Sequence, residues 1–110
     1  MDYLNEISAA VTICDEQGTI TYMNKKAAES FKDEGGYNLI GQSLLACHSN
    51  ESNEKIKTLL SEEKNNAYTI EKNGIKKFIY QTPFYENKKL KGLIEFSIEI
   101  PLELPHFKRD

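Results

Sequence analysis

Asn73-Gly74, set between two apolar-rich runs, constrains this chain more than any other pair of residues. A two-residue type I′ turn needs positive φ at both central positions, which Asn and Gly adopt most readily. Residues 68–72 and 75–83 are therefore expected to pair antiparallel. A second reversal at Glu86-Asn87-Lys88-Lys89 leads into a run where Ile94, Phe96, Ile98 and Ile100 alternate with Glu95, Ser97 and Glu99, the period of a half-buried strand. Three strands joined by short turns form a meander with one apolar face, and such a face must be covered to be stable. The first half of the chain has to supply the cover.

That half reads as a hairpin followed by helices. Val11 and Ile13 alternate with Thr12 and Cys14, Asp15-Glu16-Gln17-Gly18 supplies a turn, and Ile20 and Tyr22 share one face of the next strand. Asn24 is a good N-cap, with Ala27, Ala28 and Phe31 on one face of the helix after it, and Gly35-Gly36 is expected to stop that helix. Gly41, Leu44 and Leu45 suggest a helical turn leading to a loop at 46–50; Ser52 then caps a helix reaching about Glu62, with Ile56, Leu59 and Leu60 on its apolar face. Residues 2–8 are read as a short cap helix with Leu4 and Ile7 on one side. The order of elements is that of an α+β domain, a five-stranded antiparallel sheet with short helices packed on one face.

A length of 110 residues gives one domain with a single core. The 17 acidic and 14 basic residues are mixed along the chain for a net charge of −3, so no basic field invites nucleic acid. No apolar run approaches the roughly 18 residues of a membrane span, and the first residues lack the pattern of a signal peptide. The expected location is cytoplasmic. Two cysteines, Cys14 and Cys47, lack disulfide-scaffold or zinc spacing and are expected as reduced thiols.

Three stretches together are similar to the PAS family of sensor domains. They are Asp15-x-x-Gly18-x-Ile20-x-Tyr22-x-Asn24-x-x-Ala27-Ala28, then Leu39-Ile40-Gly41-Gln42-Ser43-Leu44, then Thr82-Pro83-Phe84 with Gly92. The resemblance spans about residues 9–100 and implies the PAS fold, a sensory function and a ligand cavity between sheet and helices. Cys47-His48 resembles the Cys-His loop of a subset of short bacterial PAS-like proteins. One departure is Glu99-Ile100-Pro101, where PAS domains attached to an effector commonly carry an Asp-Ile-Thr-like triplet and a helical linker. Proline continues neither strand nor helix, so residues 101–110 read as a closing arm.

His48 is the side chain suited to ligating haem iron, and Cys47 is a candidate thiolate ligand or redox-sensitive thiol. The plainer readings are a loop imidazole bonded to backbone and a buried, inert thiol. Covalent haem attachment would need a second cysteine three residues ahead of Cys47, and Leu44 stands there. Phe31, Ile56, Leu60, Tyr80 and Phe96 complete the candidate lining of a ligand cavity, with ordinary core packing as the alternative. Strand periodicity leaves open which set on 75–84 faces the helices: Ile75, Lys77, Ile79 and Gln81, or Phe78, Tyr80, Thr82 and Phe84. If the aromatic set faces away from them, it is a natural surface for the N-terminal helix or a second subunit.

No phosphate-cradling loop or spaced metal-ligand cluster is present, and no enzyme is expected. The first functional reading is a sensor that binds a small molecule, haem being one candidate, and signals by changing its contacts with a separate partner or in a homodimer. The alternative is a ligand-free dimerisation or protein-interaction module. A thiol enzyme built on Cys47 ranks last, because adjacent residues seldom place sulfur and imidazole together and no orienting third residue is marked.

Overall fold

At the Asn73-Gly74 turn, φ is 54° and 78°, and Lys72 stands opposite Ile75, the two-residue turn that the sequence demands. The computed structural model of the chain describes residues 1–43 and 50–110, with residues 50–53 by their backbone path alone. Five strands are present: β1 (Ala9–Asp15), β2 (Ile20–Met23), β3 (Asn66–Lys72), β4 (Ile75–Glu86) and β5 (Lys89–Ile100). Two helices, α1 (Lys25–Ser30) and α2 (Asn50–Glu62), lie between the first hairpin and the meander. All neighbouring strands are antiparallel, in the order β2-β1-β5-β4-β3. The last strand therefore sits at the centre, joining hairpin to meander.

Register assigns every side chain to a face, because directly opposed residues of antiparallel strands point the same way. Thr12 opposes Glu95, Glu95 opposes Gln81 and Gln81 opposes Asn66, so these four form one row across the sheet. Val11, Phe96, Tyr80 and Ala67 form the neighbouring row on the other face. Cys14 and Leu93, in the Thr12 face, belong to one buried cluster with Ile20, Met23, Ala27, Leu39 and the α2 residues Ile56 and Leu59, so this face lies under the helices. Each fully buried Ile or Leu there contributes roughly 1.5–3 kcal/mol.

The cover thus lies on the face opposite to the one expected from the meander. The alternating apolar set Ile94, Phe96, Ile98 and Ile100, with Phe78, Tyr80 and Phe84 of β4, faces away from the helices and is half-buried. The helices instead cover a mixed face. There Leu93 and Ile79 alternate along their strands with Glu95, Ser97, Lys77 and Gln81.

Asn24 holds the hairpin, α1 and the N-terminal segment together. Its Oδ1 accepts from the backbone of Val11 and Ala27, each at 3.0 Å, and its Nδ2 donates to the carbonyls of Leu4 and Ala9, each at 2.8 Å. It is the expected N-cap, and it is fully buried. Residues 3–8 form turns and bends in place of the expected 2–8 helix. Asn24 and Lys25 take the carbonyls of Leu4 and Asn5, and the Asp2 carboxylate takes the Leu4 N–H, so the segment's polar groups are engaged outside a helical ladder.

Three further boundaries differ from expectation. α1 ends at Ser30 and passes into 3-10 turns at Lys32–Glu34 and Gly36–Leu39, with Gly35 and Gly36 supplying φ of 124° and 54° between them. α2 begins at Asn50, which puts Ser52 inside it. Residues 101–110 are exposed throughout, with Lys76 Nζ donating to the Leu102 carbonyl at 3.3 Å, so this arm closes over nothing. Gly92 permits the close approach of β5 to β1, since a Cβ there would overlap the Cys14 carbonyl.

Candidate functional site

Between α1 and the helix-side face of the sheet lies a cleft of about 290 Å³. Its sheet wall includes Ala10 and Thr12 of β1, Ile79 of β4 and Glu95 and Ser97 of β5; Phe31 closes it from the helix side, and Tyr68 and Ile70 of β3 from the edge. Two carboxylates, Glu34 and Glu95, and two ammonium groups, Lys72 and Lys77, line it. The cleft is polar at the sheet because the Thr12, Glu95, Gln81 row crosses it there.

Glu95 is held in place from one side. Gln81 Nε2 donates to Glu95 Oε2 at 2.7 Å, and Asn66 Nδ2 donates to Gln81 Oε1 at 2.9 Å, so the Gln81 amide is oriented at both ends. Gln81 is 4% exposed. Thr12 is 5% exposed, lines the cleft, and its hydroxyl makes no hydrogen bond among the described residues. Burying a hydroxyl without a partner costs roughly 1–3 kcal/mol, so the cleft holds a polar group whose partner is not among the described residues. Burial first, and then the charge of Glu95, raise the Tyr68 phenol above its ordinary value, which keeps it a hydrogen-bond donor at neutral pH.

The sequence candidates scatter. Phe31 lines the cleft. Ile56 is 1% exposed in the core, and Leu60 packs against that core near the turn of the first hairpin, by Glu16, Gln17 and Leu90. Tyr80 and Phe96 oppose each other on the outer face, away from the cleft. Cys47 and His48 lie outside the described residues. Cys14 is buried, and burial pushes its thiol up to about 11, which leaves it inert as a nucleophile at neutral pH. Among the described residues, no cluster of His, Cys, Asp and Glu forms a metal site.

Thr12, Tyr68, Glu95 and Ser97, and Gln81 that holds Glu95, were not marked by the sequence as residues of the cleft. The signal that could have found them is the polar set alternating along β5 and β4, which a strand with water on one face shows equally. Haem iron takes His, Cys, Met or Tyr as axial ligand; among the described lining residues Tyr68 is the one such side chain, and its raised phenol opposes the ionised form.

No protein-family model matches this sequence, and no curated protein does. Solved structures do share its architecture. The PAS domain of the histidine kinase ThkA superposes with a TM-score of 0.67 at 21% identity, over 84% of this chain and 99% of that one. A Vibrio cholerae receptor described as a dual PAS-heme oxygen sensor gives 0.63 at 13% identity, over 84% and 95%. VqmA bound to DPO gives 0.70 at 14% identity, over 89% of this chain and 54% of that one. Strand order, intervening helices and these likenesses agree: the chain has the PAS fold.

Proposed function

We propose that this chain is a non-enzymatic, cytoplasmic sensory module that binds a small molecule in the cleft between α1 and the sheet. One observation carries the reading: a concave site lined by aromatic side chains holds a buried Thr12 hydroxyl, without a partner among the described residues, beside a preset Glu95 carboxylate. Similar folds recur in a histidine kinase and in a PAS-heme oxygen sensor, and VqmA is solved with DPO bound, which supports a sensory use of the architecture.

Signal transfer follows from the two faces of one sheet. Thr12 and Glu95 on the cleft side are chain neighbours of Val11 and Phe96 on the outer side, so a ligand that shifts β1 against β5 alters the apolar surface offered to a second copy or a signalling partner. Haem with His48 as axial ligand is the version of this reading that turns on a residue outside the described ones. The test is the mass of the small-molecule fraction released on denaturing protein purified from a bacterial host. A stoichiometric compound is expected; repeated empty extracts would leave the ligand-free interaction module.

A further inference from the structure

The Thr12, Glu95 row specifies more than the presence of a ligand. Glu95 is fixed through Oε2 by Gln81, and it forms no ion pair among the described residues. A carboxylate is an acceptor only, so it calls for a donor. Thr12, directly opposite on β1, carries one donor and two acceptor positions and has none of them used among the described residues. Ser97, two residues along β5 on the same face, adds a second hydroxyl. The two carboxylates and two ammonium groups of the lining balance, so the cleft as a whole favours neither a cation nor an anion. Its volume of about 290 Å³ lies at the lower end of the roughly 300–1,000 Å³ of small-molecule pockets.

Resting on the sensory reading above, we infer that the cleft takes a compact, neutral, flat molecule that carries an N–H donor beside a carbonyl acceptor, an amide or lactam-type heterocycle. The N–H donates to Glu95, the carbonyl accepts from the Thr12 hydroxyl, and the ring lies against the apolar groups of Phe31 and Ile79. The pairing reads both groups at once. A hydrocarbon of the same size leaves the Glu95 and Thr12 groups desolvated and unpaired, which costs more than the apolar contact gains. An anion meets the Glu95 carboxylate head on.

The test uses the full chain, labelled with ¹⁵N, and four probes at millimolar concentration: 2-pyridone, benzoate, benzylammonium and toluene. 2-Pyridone is expected to shift the backbone amide signals of residues 10–12 and 95–97 with saturation, and the other three to leave them in place. Glu95→Gln keeps an acceptor for Gln81 and removes the charge, and it should weaken 2-pyridone about tenfold, the scale of a charge-assisted hydrogen bond made neutral. Thr12→Val is the second variant, nearly the same in shape and lacking only the hydroxyl, and is expected to weaken it about fivefold. Well-dispersed spectra show that each variant is folded. Saturation at these residues by benzoate, benzylammonium or toluene in place of 2-pyridone overturns the ligand class and leaves the cleft a sensor site. Unchanged affinity in both variants overturns the roles of Glu95 and Thr12. No shift at these residues with any probe overturns the ligand class, while the sensory reading is decided separately by the compound released on denaturation.

Discussion

Gln81 Nε2 donates to Glu95 Oε2 at 2.7 Å across the two longest strands, β4 and β5. The bond lies in the polar row that runs from Asn66 through Gln81 and Glu95 to Thr12, on the face that the helices cover. A sheet face under helices would ordinarily be apolar; here a hydrogen-bonded line replaces it at the cleft and leaves the apolar packing to Cys14, Leu93, Ile56 and Leu59 farther along. Both Gln81 contacts are made within the fold, so the position of the Glu95 carboxylate is set before any ligand arrives.

Asn24 is the residue whose loss should be felt most widely. It makes four hydrogen bonds while fully buried, and Asn24→Ala should cost roughly 3 kcal/mol or more in urea unfolding, since several backbone groups lose partners at once. Asn24→Asp keeps the acceptor for Val11 and Ala27 but sets an oxygen against the carbonyls of Leu4 and Ala9. The amide of Lys25, bonded to the Asn5 carbonyl at 3.1 Å, should then exchange faster while the amides of β4 and β5 stay protected. Parent-like stability in both variants would remove Asn24 as the joint.

Much of the fold is legible in the sequence because it rests on local chemistry. Asn73-Gly74 sets one hairpin, Gly18 and Asp15 another, Asn24 caps α1, and the spacing of Ile56 and Leu59 marks the buried side of α2. The faces of the sheet were not legible. A period of two says that Glu95 and Phe96 point oppositely, but which of them meets the helices is decided by long-range register, with Leu93 opposite Cys14 and Gly92 beside it. The cleft is hidden for the same reason, since its polar groups have the spacing of a solvated face. Phe31 is the one sequence candidate in its described lining, placed by the helix pattern. The 2–8 helix fails because long-range partners, chiefly Asn24, outweigh a weak local preference.

The pH dependence of stability should carry the mark of Cys14. Burial is the largest cause raising its thiol from 9.0 to about 11, so the folded chain keeps a proton that the unfolded chain releases at lower pH. Its stabilising contribution is full below pH 9, falls between 9 and 11, and is lost above that, in all up to about 2 kcal/mol. Tyrosines ionise in the same alkaline range, so the comparison is with Cys14→Ala: the variant should lose less stability than the parent between pH 8 and 11. Equal slopes in urea titrations would contradict this account of the thiol.

The outer face should drive self-association. Phe78, Tyr80, Phe84, Ile94, Phe96 and Ile98 form a contiguous apolar set, and Phe78 and Tyr80 stack with ring centroids 6.2 Å apart. Light scattering at high protein concentration should give a dimer, and Phe96→Lys should return a monomer because a lysine ammonium has no partner in an apolar interface. A monomeric parent would count against association through this face.

Among the described residues of the cleft only Tyr68 is of a type that ligates haem iron, so an axial complex there would turn on His48 or Cys47. Titration of the purified chain is expected to give only the broad absorption of loosely adsorbed haem, the same in the parent and in His48→Ala and Cys47→Ala. A sharp, shifted Soret band abolished by His48→Ala would identify a haem sensor and contradict the ligand class inferred for the cleft.

The most direct measurement of the central claim is native mass spectrometry of the chain purified from a bacterial host, compared with a variant whose cleft is filled. Ser97→Phe puts a ring into the space between Glu95 and Lys77 on the helix-side face and leaves the outer face unaltered. The parent should carry an added mass of a small molecule, lost on denaturation, and Ser97→Phe, folded by its far-ultraviolet circular dichroism, should carry none. An added mass retained in full by the filled variant, or a parent without one across independent preparations, would contradict the assignment of this cleft as the ligand site.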